Sequence, residues 1–220
     1  MSNTDIDLKP VLKFSRALGK NNNREWFQAH RGEYDDARAH FEAYVAAVIE
    51  ELSPLFSLGD ITPKECIFRI YRDLRFAKDK TPYKPLMSAY VAPGGRKARR
   101  MGCYIHIEPG ESMLAGGLHQ PRPAQLVAWR AAIDRDPEPF KKILKNATFR
   151  KYFGTVGGDR LMTAPRGYPK DHPELDLLRL KSVTVARMVS DKLVASPDFL
   201  RETLITCRVM KPFLDYLDSL

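Results

Sequence analysis

Residues 69–84 hold six cations (Arg69, Arg72, Arg75, Lys78, Lys80, Lys84) and two carboxylates (Asp73, Asp79). A guanidinium presents a planar fork of donors that matches the oxygens of a phosphate or carboxylate, and an ammonium adds a compact charge. Two carboxylates among so many cations stay ionised, which suits them to orient arginines rather than to act as general acids. The chemistry predicted here is anion binding, with Arg69, Arg72, Asp73, Arg75, Lys78, Asp79, Lys80, Tyr83 and Lys84 as candidate ligand-binding residues. The same composition also builds ion-pair networks that only fix a loop, and the residues alone leave both readings open.

Two further segments are candidates for the same pocket. The pair Gly116-Gly117, inside an expected strand, either admits a ligand or another backbone at close range or relieves crowding against Trp129. Residues 165–173 form a proline-stiffened polar loop in which Asp171 and His172 are neighbours. His172 is the general-base candidate there, and Asp171 reads as a turn residue. Gln120-Pro121-Arg122 precedes a helix expected from Pro123, and a helix N-terminus beside an arginine favours anions. His106 and His119 lack metal-ligand spacing, so no metal is expected. No P-loop, dinucleotide fingerprint, H-E-x-x-H or G-x-S-x-G occurs, and no catalytic residue or cofactor is legible.

The charge is concentrated. Of a net +9, residues 69–84 supply +4 and Arg96 to Arg100 another +4, leaving 26 basic and 25 acidic residues elsewhere. Such a patch gathers anionic partners, with a phosphorylated small molecule as the leading expectation. The alternative is nucleic acid, with Arg96 to Arg100 extending the patch and Tyr71, Tyr83 and Tyr90 available for stacking. Taken alone, Arg96 to Arg100 reads as a solvated hairpin tip.

The elements that must position these residues follow from periodicity. The expected class is α+β: a single domain over 1–220, helical over 8–56, mainly strand over 66–119, helix and loop over 123–180, strand and helix over 181–220. Tyr34, Ala37, Phe41, Val45, Val48 and Leu52 fall three or four apart and predict a helix from about Glu33 that Pro54 ends. Short strands are predicted over 66–71, 87–92, 103–108, 113–118 and 182–188. In 103–108, Cys103, Ile105 and Ile107 share one face and Tyr104, His106 and Glu108 the other. Pro93-Gly94-Gly95 and Pro109-Gly110 supply turns, so an antiparallel meander packed with N-terminal and C-terminal helices is the expected topology. A final helix is expected from Pro197, capped by Ser196 and kinked at Pro212.

No apolar run is long enough to span a bilayer, and Ser2-Asn3-Thr4-Asp5 lacks the pattern of a secretory signal, so a cytoplasmic protein with no membrane partner is expected. Cys66, Cys103 and Cys207 form no C-x-x-C pair and are expected as free, buried thiols.

Residues 69–83 match R-x-x-R-D-x-R-F-x-x-D-K-x-x-Y, with Arg69, Arg72, Asp73, Arg75, Phe76, Asp79, Lys80 and Tyr83 in place. This resembles the signature of an uncharacterised protein family of bacteria and some fungi, known as domain of unknown function 2461. The resemblance extends to Asn22-Asn23-Arg24-Glu25-Trp26-Phe27, to Gly116-Gly117 with Pro121 and Arg130, and to Asp171-His172-Pro173 with Leu177, Leu178 and Lys181. It implies one domain of this length and brings no activity, cofactor or catalytic residue.

Overall fold

Helical apolar spacing governs the first part of the chain. In the computed structural model, which describes residues 6–73, 75, 79–97 and 100–220, α1 (Lys9–Lys20) runs through Gly19 and closes at Asn21. The short α2 (Arg24–Ala29) is capped by Asn23, whose side chain accepts from the Trp26 amide. The long α3 (Arg31–Phe56) buries the predicted stripe from Tyr34 to Leu52. Pro54 does not end α3 where expected; it lies inside the last turn, and the chain leaves at Ser57, φ 50°. Glu50 and Pro54 are both exposed, so solvent can take the carbonyl that proline leaves without a donor.

Period-two segments then build a four-stranded antiparallel sheet in the order β1 (Met87–Val91), β2 (Cys103–Ile107), β3 (Met113–Leu118), β4 (Val183–Met188). The meander and the α+β class are as expected. The predicted strand over 66–71 is not formed. Its first residue closes a single turn, α4 (Pro63–Cys66), and the chain beyond meets β1 through the Ile67 to Ala89 bridge and the Phe68 N–H to Ser88 carbonyl bond, then bridges Tyr71 to Tyr83 outside the sheet.

One face of the sheet is the core face. Ile105, Leu114, Val183 and Val185 are buried there, and Arg187 reaches Glu202 and Thr206 on α10 (Phe199–Asp218). The helix expected from Pro197 begins two residues later, and Ser196 does not cap it: its hydroxyl bonds the Leu193 carbonyl and closes α9 (Asp191–Val194). Of the remaining helices, α5 (Pro123–Arg135), α6 (Glu138–Lys145) and α7 (Ala147–Phe153) pack against α10, and α8 (Leu175–Leu178) packs on α5. Trp129, Phe140, Phe149 and Phe213 form a chain of ring contacts between them. The three cysteines are free and buried. Among the described residues, no helix is long and apolar enough to cross a membrane.

Candidate functional site

The sequence cluster folds as a ribbon. Residues 67–72 run antiparallel to 82–89, tied by Arg72 N–H to the Pro82 carbonyl and by Lys84 N–H to the Ile70 carbonyl. Asn22, far away in sequence, locks this ribbon to the helices: its amide donates to the Tyr83 carbonyl (2.9 Å) and accepts from the Tyr83 N–H (3.1 Å). Tyr83 then stacks on Phe27 with ring centroids 4.1 Å apart, and the half-exposed Tyr71 ring leans on Tyr83 at 5.5 Å. Arg31 lies over Phe27 and Tyr34 while pairing with Asp35.

Part of the cluster neutralises itself. Arg75 makes a two-pronged contact with Asp73 (3.0 and 2.6 Å), which holds the Asp73 carboxyl well below the usual carboxylate range. Arg72 donates to the Tyr83 carbonyl at 3.0 Å and meets Asp79 at 3.2 Å. Asp79 accepts from the Thr81 amide and hydroxyl, and these bonds chiefly lower its pKa, with Arg72 adding to them. These pairs perform the loop-fixing role.

Arg69 and Lys84 differ. Among the described residues neither has a carboxylate within ion-pair distance, and the Lys84 ammonium has only the Arg69 carbonyl, at 3.4 Å. Burial first, then the Arg69 and Arg72 guanidinium groups, lower the Lys84 pKa. Arg69 and Tyr71 flank the buried Ile70 and lie exposed on one side of the extended segment. Lys78 lies outside the described residues.

The other sequence candidates lie elsewhere. Gly116 and Gly117 are in β3 beneath α10: a Cβ on Gly116 would fall 2.4 Å from Met210 Sδ, and one on Gly117 (φ 114°) 2.2 Å from the Val183 carbonyl. The packing of α10 sets the requirement at Gly116 and the β4 backbone sets it at Gly117; Trp129 sets neither. His172 sits between α5 and α8, its Nδ1 accepting from the Glu174 N–H (3.0 Å) and its Nε2 donating to Asp134 (3.1 Å). Both ring nitrogens are thus engaged, and Asp171 is exposed in the preceding turn. The amide of Arg122, at the start of α5, is taken by the Gln125 side chain (3.0 Å).

The second basic run is no solvated tip throughout. Arg96 donates to the carbonyls of Lys64 (2.5 Å) and Ile67 (3.0 Å), and Arg100 pairs with Asp218. Among the described residues, no group of three or more His, Cys, Asp or Glu is placed to hold a metal ion.

Sequence reasoning missed Asn22 as the anchor of the ribbon. The signal lay in the Asn21-Asn22-Asn23 run, where Asn23 caps α2 and Asn22 reaches the ribbon instead.

A conserved hypothetical protein family, DUF2461, matches residues 10–216, and the chain belongs to that family. No curated protein and no solved structure matches it.

Proposed function

We propose that this protein binds a phosphorylated or similarly multivalent small anion at the Arg69–Lys84 edge of the ribbon, with the Tyr71 ring as a platform for a planar group attached to it. The observation that carries this reading is Lys84: its ammonium is held near two guanidinium groups with no carboxylate in contact among the described residues, and its pKa is lowered by burial and by those charges. Three cations gathered around one ion-paired carboxylate, Asp79 on Arg72, leave an excess of like charge that raises the free energy of the empty site, and an entering anion lowers that penalty. Arg72 and Arg75, satisfied by Asp79 and Asp73, hold the ribbon in shape around the site.

Nucleic acid is the weaker reading, because Arg96 and Arg100, which would extend the patch, already have protein partners. A small anion needs only the local pair.

Calorimetric titration with pyrophosphate tests the proposal. Arg69→Ala is expected to weaken binding roughly ten- to hundredfold, the loss of one charge-assisted contact worth roughly 1.5–3 kcal/mol. Arg75→Ala, which removes a cation already paired to Asp73, is expected to change affinity far less. Equal losses in the two variants, or no pyrophosphate binding by the unmodified protein, would refute the assignment.

A further inference from the structure

The sheet face turned away from α10 carries a second constellation. By register, Ser88 on β1 faces His106 on β2, and His106 faces Met113 on β3, which faces Met188 on β4. The next row on the same side runs Tyr90, Tyr104, Ala115, Ala186. Met188 is 61% exposed and Ala186 is exposed, so this face is not covered by the helical layer at β4.

Three side chains on this face are joined in one direction. Glu108 Oε2 lies 2.7 Å from His106 Nε2, so an ionised Glu108 fixes the proton of the neutral ring on Nε2. His106 Nδ1 is then an acceptor, and the Tyr104 hydroxyl, 3.1 Å away, donates to it. The Ser88 side chain is a further polar neighbour of the Tyr104 oxygen, and it opposes the burial that raises the Tyr104 pKa. The Glu108 backbone is itself clamped by Ser112, whose hydroxyl accepts from the Glu108 N–H and donates to the Glu108 carbonyl. His106 is buried at 8% exposure, whereas Tyr104 is only half-buried, so the chain reaches solvent through the phenol. A base oriented by a carboxylate, with a hydroxyl on its other nitrogen, is the arrangement that moves a proton on demand.

We propose that Tyr104 is the catalytic group of a proton-transfer site on the open sheet face, with His106 and Glu108 as its positioning residues. When a substrate hydroxyl gives its proton to Tyr104 Oη, the phenolic proton passes to His106 Nδ1, and the imidazolium is balanced by Glu108, already bonded to Nε2. The reverse movement protonates a carbonyl or alkoxide oxygen. No electron is transferred and no further reagent is needed. Burial raises the Tyr104 pKa, with the Ser88 hydrogen bond opposing it, so the resting group is the neutral phenol. The surroundings set the substrate class. Phe68 meets the Tyr104 ring edge-on at 6.1 Å, and Ala115 and Ala186 continue the row beside it. That low, uncharged floor beside an aromatic wall fits a flat, largely apolar molecule bearing a hydroxyl or carbonyl oxygen. This inference does not depend on the anion site.

The test is covalent labelling of the intact protein by a benzenesulfonyl fluoride, read by peptide mass spectrometry. Oxygen–sulfur bond formation expels fluoride, and the phenolic proton goes to His106. Tyr71, 47% exposed and outside the relay, is the internal reference. Tyr104 is expected to react at least tenfold faster than Tyr71, and His106→Gln to abolish that excess while leaving Tyr71 unchanged, a loss within the roughly 10²–10⁴-fold range of general-base assistance. Glu108→Gln, at the far end of the chain from the phenol, gives the same reading with a smaller loss if the His106 variant folds poorly. A Tyr104 rate no greater than that of Tyr71, or one unchanged in a folded variant, would overturn the proposal.

Discussion

Two segments carry the same excess of positive charge, and the fold treats them oppositely. Around Arg96 to Arg100, Arg96 holds one backbone carbonyl of α4 and one of the residue that follows it, and Arg100 clamps Asp218 at the end of α10. Around Arg69 to Lys84, two arginines find carboxylates inside the ribbon, while Arg69 and Lys84 have none in contact among the described residues. Charge density read along a chain therefore does not reveal available charge. What decides is which acceptors other elements bring alongside: carbonyls 32 and 29 residues back in the case of Arg96.

The contrast breaks or sharpens under substitution. Arg96→Ala has the largest expected effect on stability, a loss of about 2 kcal/mol in urea unfolding, because two charge-assisted bonds to carbonyls disappear together. Its pyrophosphate affinity is expected to match that of the unmodified protein; a matching loss of affinity would erase the distinction between the two segments.

Acid gives a smaller, local effect. The Asp73 and Asp79 carboxyls are held below their ordinary values, by Arg75 and by the Thr81 amide and hydroxyl respectively. A depressed folded-state pKa means that these contacts contribute fully above the ordinary Asp value of about 3.9 and are lost as pH falls through the lower folded value. Protection of the Thr81 amide, its exchange rate relative to the intrinsic rate at the same pH, is therefore expected to hold through about pH 4 and to be lost only below it. Loss of protection beginning at about pH 5 would contradict the contacts of Asp79 with Thr81.

Much of the fold was legible because burial follows period. The stripe of α3 and the alternation of β2 placed the correct side chains inward before any contact was known. The strand expected over 66–71 failed because alternation predicts a face but not a partner, and here the pairing is limited to isolated bridges. Pro54 and Ser196 misled for a related reason: a residue's capping or breaking tendency yields to where the core stops. In the site, the residue types announced anion chemistry, yet which cations are neutralised depended on contacts that spacing does not encode. Asn22 reaches Tyr83 across 61 residues, and nothing in the Asn run specified that partner. The proton chain on β2 was visible only as a shared face; the approach of Ser88 required the register of β1 on β2.

The central claim is that Lys84 is kept in an electrostatically unfavourable place for the sake of a bound anion. A lysine whose pKa is lowered in the fold destabilises it while charged, and that penalty fades only as pH rises through the folded value. Thermal melting of the unmodified protein and Lys84→Met near pH 7, each with and without pyrophosphate, tests this in one experiment. The Met variant is expected to melt about 1–2 °C higher without ligand, a fraction of a kcal/mol for a chain of this size, and to gain little from pyrophosphate, whereas the unmodified protein gains clearly. A Met variant that melts lower and is stabilised by pyrophosphate as much as its parent would show that Lys84 serves the fold and not a ligand.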